Sequence, residues 1–162
     1  MNAAHFHLIV NHLPLAGLLF GLILLVGGLI SDSKPITNAA QLLLVLAALL
    51  VFPAYFSGEG AEDSLMDQVQ GIEKSLIHEH EEAALISFVI TILVGVLSLI
   101  TFIVNNRAKK ENKFLVYLLL IVGLFALTSI AQVAKLGGEI RHTEIRESAT
   151  NAPNQNNESD ED

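Results

Sequence analysis

Six histidines, at positions 5, 7, 12, 78, 80 and 142, fall near the ends of long apolar segments. Glu59, Glu62, Glu81, Glu82 and Glu139 fall near the same ends. Imidazole nitrogen together with carboxylate oxygen is a ligand set for iron, zinc or manganese. Two histidines on facing helices are instead what a haem b would need. There is no cysteine, so thiolate ligands and disulfides are excluded.

Helical spacing decides which of these side chains share a face. Glu59 with Glu62, Glu139 with His142, and His78 with Glu81 or Glu82 are three or four residues apart. His5 and His12 are seven apart and also share a face. His78 and His80 do not, so only one of them is expected to point inward. His12 lies ~6 Å into its apolar segment at 1.5 Å per residue. An ionisable group at that depth is expected to face the bundle interior with a partner.

The elements that would position these residues are apolar runs from Leu8 to Ile30, Ile36 to Phe56, Ala83 to Val104 and Phe114 to Val133. Each is close to the ~20 residues that cross a bilayer as a helix. Hydrophobic residues make up 52% of the 162-residue chain, more than a soluble domain of this size carries. Alternating apolar and polar positions are missing, which excludes a transmembrane β-barrel. The predicted fold is all-α, an up-down bundle of four transmembrane helices in residues 1–145. Pro14 cannot donate to the carbonyl of Val10, and Pro53 frees that of Leu49, so bends are expected near those helix ends.

Lys and Arg in short loops set the expected orientation. Arg107, Lys109, Lys110 and Lys113 join the third and fourth segments, whereas Lys74 stands alone between the second and third. Both termini and every histidine are then extracytoplasmic, in a multi-pass protein of the bacterial inner membrane. Leu65, Val69, Ile72 and Leu76 recur at helical spacing, which predicts a short amphipathic helix over 63–77. Residues 146–162 are polar and acidic, end in Ser159-Asp160-Glu161-Asp162, and are expected to be a disordered tail. Much of the net charge of −8 resides there, and no nucleic-acid partner is expected.

The chain also divides into two similar hairpins. One begins His5-x-His7 and ends Ala54-x-x-x-Gly58-Glu59-x-x-Glu62. The other begins His78-x-His80 and ends Ala134-x-x-x-Gly138-Glu139-x-x-His142. Both start on the same side, as in parallel repeats.

The series His7-x-x-x-x-His12-Leu13-Pro14, Gly58-Glu59-x-Ala61-Glu62, His80-Glu81 and Gly137-Gly138-Glu139-Ile140-Arg141-His142 resembles the bacterial four-helix membrane family called domain of unknown function 2231. The resemblance covers about Ala4 to Ile145. It departs at Leu13, where a phenylalanine often stands, and at Leu8, where a proline can follow the first histidine. Relatives fused to Rieske or cytochrome c modules imply a respiratory redox setting. Any redox partner of this chain would be a separate protein.

Two chemistries compete. For haem the candidate residues are His7, His12, His80 and His142, with Gly17, Gly21, Gly95 and Gly123 offering room for the macrocycle. For a metal ion they are His12, Glu59, Glu62, His80, Glu81, Glu139 and His142. Either would make a redox site at the extracytoplasmic end of the bundle, with electron transfer as its expected role. The competing reading is a non-catalytic subunit, or a small proton or cation transporter, using the same cluster. Enzymatic activity is left open. The bilayer is the expected surrounding, and a homo-oligomer is compatible with it.

Overall fold

The computed structural model describes residues 2–66, 74–108 and 111–142. Six helices are formed: α1 Ala3–Val10, α2 His12–Ile30, α3 Lys34–Phe56, α4 Gly58–Met66, α5 Lys74–Arg107 and α6 Lys113–Arg141. Four stretches are long and apolar enough to cross a membrane: Ala3–Ile30, Lys34–Ser64, Lys74–Arg107 and Lys113–Ile140. Among the described residues there is no strand. Helix α2 packs on α3, α3 on α5, α5 on α6, and α6 back on α2, which closes a four-helix ring.

The packing is the reverse of a soluble bundle. At most 39% of the most apolar window of any span is buried, so most large side chains, such as Ile23, Leu46, Leu93 and Ile121, face outward. Without a difference in polarity between lipid and helix surface, close packing has to hold the helices together, and small residues make it close. A Cβ added at Gly17 would stand 2.7 Å from the Ala47 Cβ, at Gly95 2.3 Å from the Ala48 Cβ, and at Gly21 and Gly123 2.7 and 2.6 Å from Leu44 and Leu22. The room expected for a macrocycle at these four glycines is therefore filled by the neighbouring helix.

Of Pro14 and Pro53, only the first stands just after a helix interruption, where its missing donor predicts one, since α3 runs unbroken through Leu49 and Pro53. Asn11 is a turn residue between α1 and α2, three positions before Pro14, and Ser57 is one between α3 and α4, four positions after Pro53. In the second hairpin α5 and α6 run on without such interruptions. Of the expected amphipathic segment 63–77, residues 63–66 end α4 and 74–77 open α5. Residues 67–73 lie outside the described residues, as do Lys109, Lys110 and the acidic tail.

At the opposite end, called here the lysine end, the α2–α3 turn is a Schellman cap. Asp32 takes a left-handed φ of 48°, and the Ser33 N–H donates to the carbonyl of Gly28 at 3.0 Å. Lys34 Nζ donates to the Asn105 carbonyl at 2.6 Å, Asn38 to Asn106 at 3.0 Å, and Lys113 to Asp32 at 2.8 Å.

Candidate functional site

Two histidines turn inward at the histidine end, and both are held by the helix that closes their own hairpin. His7 is half-buried on α1, with its Nδ1 2.9 Å from the Ser57 hydroxyl oxygen. That hydroxyl donates its single proton to the Ala54 carbonyl at 3.1 Å, so the proton in the bond with His7 is the ring's own. His80 is half-buried on α5, and its Nδ1 donates to the Val133 carbonyl at 3.1 Å. In the neutral form both rings thus carry hydrogen on Nδ1 and keep the Nε2 lone pair, the tautomer that ligates a metal.

Glycine lets the His80 ring lie against α6, whereas the His7 ring leaves ordinary room beside Gly58. A Cβ at Gly137 would come 3.2 Å from the His80 Cε1, and one at Gly58 would come 3.9 Å from that of His7. The two hairpins hold their histidines at different positions, His7 against a serine hydroxyl and His80 against a backbone carbonyl.

The sequence pattern did not single out Ser57, the Val133 carbonyl or Gly137 as parts of the site. Ser57 stands just before Gly58, the first residue of α4, and its hydroxyl is a hydrogen-bonding group that the search for imidazole and carboxylate passed over. A backbone carbonyl such as that of Val133 carries no side-chain signal at all.

The other candidates are distributed less tightly. His12 is exposed at the start of α2, contrary to the expectation that it faces the interior. Val10, Pro14, Gly17, Leu18, Gly21, Leu22, Leu25 and Gly28 are the buried positions of this span, and residue 12 falls on the opposite side of the helix from that stripe. His5, its face-mate seven residues earlier, is exposed as well.

His78 is exposed and pairs with Glu82 at 3.3 Å, while His80 points in, as expected of a pair two residues apart. Glu59 and Glu81 are exposed, and Glu62 is half-buried. Glu62 and Glu81, from the two different hairpins, lie within electrostatic reach of each other. Glu139 keeps only 14% of its side chain exposed and meets Lys135 at 3.5 Å. His142 is exposed beyond α6, where its N–H donates to the Gly138 carbonyl at 2.8 Å.

The expectation that His12, Glu59, Glu62, His80, Glu81, Glu139 and His142 converge on one metal ion is therefore not met. Among the described residues no group of three or more histidine or acidic side chains is gathered closely enough to hold one. Helical phase explains this in part, because Glu81 follows His80 by one residue and His12 is off the buried stripe, so neither can share the inward direction.

The profile of a family described as "predicted membrane protein (DUF2231)" matches residues 4–144. No curated protein and no solved structure gives a significant match.

Proposed function

The chain belongs to the DUF2231 family of predicted membrane proteins, and for this member we propose that the histidine end of the bundle ligates a redox metal through Nε2 of His7 and His80, with haem iron as the best fit. The observation that carries the reading is the pair of half-buried imidazoles with both Nδ1 atoms held in donor bonds. Such outer partners orient a ligand ring and raise its basicity.

The donor set favours haem over a bare ion. Haem iron takes two ligands from the protein, and the macrocycle supplies the rest. A zinc, iron or manganese ion needs more donors from side chains and water, and a third is not gathered beside the two rings among the described residues. The tight helix contacts at Gly17, Gly21, Gly95 and Gly123 leave a macrocycle the histidine end, outside the packed core. Haem would supply one-electron chemistry, which suits electron transfer to a separate partner protein.

Orientation belongs to the same proposal. Arg107 and Lys113 lie at the lysine end, Lys109 and Lys110 stand between them in the sequence, and this basic loop marks that end as cytoplasmic. The site then faces the extracytoplasmic side of a bacterial inner membrane. A reporter fused near Arg107 should behave as cytoplasmic, and one fused after Ser64 as external.

The test of the ligand is a visible spectrum with elemental analysis of protein extracted gently and without chelator. A Soret band that shifts on reduction, and is lost in both His7→Ala and His80→Ala, is expected. A colourless protein with stoichiometric zinc or manganese would replace haem by an ion. A protein free of both would sink the redox reading and favour the second one, a proton or cation relay, which the nearness of the Glu62 and Glu81 carboxyl groups supports.

A further inference from the structure

The inward face of α5 is polar for most of its length, although this helix must cross the hydrocarbon. Ser87, Thr91, Ser98, Thr101 and Asn105 are all buried, each at most 3% exposed, and on α3 Thr37 and Gln41 are fully buried with them. Toward the lysine end these residues form one seam. The Ser98 hydroxyl donates to the Gln41 carbonyl at 2.9 Å, the Asn112 N–H donates to Asn105 Oδ1 at 2.8 Å, and Lys34 reaches the Asn105 carbonyl from the end.

Most of the hydroxyls in the seam are accounted for. Thr37 and Thr101 donate to the carbonyls four residues before them. Ser87 and Thr91 have no partner, but a helical hydroxyl can turn to such a carbonyl. Gln41 has no such recourse. Its Nε2 and Oε1 are both buried without a hydrogen-bond partner, and so is Nδ2 of Asn105. In the middle of a bilayer an amide left bare costs several kcal/mol.

We infer that the seam between α3 and α5 binds ordered water, held by the Gln41 side-chain amide at its deep end and by Asn105 at its mouth. A buried water needs two to four polar partners, and here the Gln41 amide, the Asn105 Nδ2 and the spare acceptor pairs of Ser98 and Thr101 provide them. From Asn105 to Ser98 the seam runs ~10 Å along the helix at 1.5 Å per residue. It stops at Val94 and Gly95, where Gly95 is in contact with Ala48 and the core of Leu44, Ala47 and Leu119 is dry. The seam is thus a blind inlet: it brings water, and protons exchanging with it, from the lysine end to the depth of Gln41 and no further.

The inference is independent of whether haem is bound. The experiment is magnetisation transfer from water to the full-length protein in lipid bilayers, followed by solid-state NMR. The Gln41 and Asn105 side-chain amides should receive magnetisation early, while Leu44 and Val94, equally buried, should lag. A Gln41 amide as slow as Leu44 would overturn the inlet. The wild-type measurement stands on its own if a variant fails to fold. In a folded Gln41→Leu protein, transfer at Ser98 should also slow several-fold, and unchanged transfer there would count equally against it.

Discussion

At the lysine end the chain brings backbone against backbone: a Cβ on Gly28 would meet the Thr37 amide nitrogen at 2.8 Å, and the fully buried Asn105 ties α5 to the segment leading into α6. At the histidine end the corresponding glycines face rings rather than backbone, with 3.9 Å at Gly58 and 3.2 Å at Gly137. The bonds between elements there run through imidazole. One end is joined by backbone contact between helices, and the other keeps nitrogen lone pairs available. The difference teaches that the same hairpin plan can spend its small residues on stability at one membrane face and on side-chain room at the other.

Matched glycine substitutions should separate the ends most clearly. Gly28→Ala must push α2 from α3, and overpacking of this kind costs about 2–3 kcal/mol. Gly58→Ala meets only ordinary contact and should be neutral, or stabilising by up to about 1 kcal/mol. Unfolding in mixed micelles, followed by loss of helicity, checks both. Equal losses would erase the comparison.

Asn105→Ala comes next, with an expected loss of about 1–2 kcal/mol, because the Asn112 N–H loses its acceptor. The same assay measures it. His80→Ala removes one half-buried hydrogen bond, to Val133, and should cost only about 0.5–1 kcal/mol. Its larger consequence is spectroscopic, through the loss of the ligand nitrogen. A His80→Ala protein less stable than Asn105→Ala would show that the histidine end is the structural one.

Acid should give the smallest effect. The hydrogen bond from Lys113, and then its charge, hold the Asp32 carboxyl below the usual aspartate value of 3.8, and Asp32 is fully exposed. A lowered folded-state value means the contribution is complete above the unfolded-state value and fades as pH falls through the folded one. The Asp32→Asn protein should therefore match wild type below that window and differ slightly at neutral pH, with the difference shrinking in high salt. A difference that persists in acid would assign the effect to the left-handed turn at Asp32 instead.

Four spans, their all-helical state and the helix break before Pro14 were legible in the residues, because hydrocarbon thickness and the missing proline donor act locally, whereas the break at Ser57 lies beyond Pro53 and was not. That His80 rather than His78 points inward was half legible, since spacing separates the two without saying which one is buried. His12 misled, because depth along a segment is visible in sequence whereas rotational phase is set only when neighbouring helices close around it. Packing likewise decided that Gly17, Gly21, Gly95 and Gly123 serve as contact points between helices rather than as a berth for a ring.

The residues by themselves determined that this chain crosses a membrane and gathers imidazole and carboxylate toward one side, since hydrophobic length and chain direction need no partner. Only the tertiary structure decided which nitrogens are oriented and which amide is left bare. The bonds concerned, from His7 to Ser57, from His80 to Val133 and from Ser98 to Gln41, join positions 50, 53 and 57 residues apart. Two of the three end on, or depend on, backbone carbonyls that every residue possesses, so side-chain identity could not announce them.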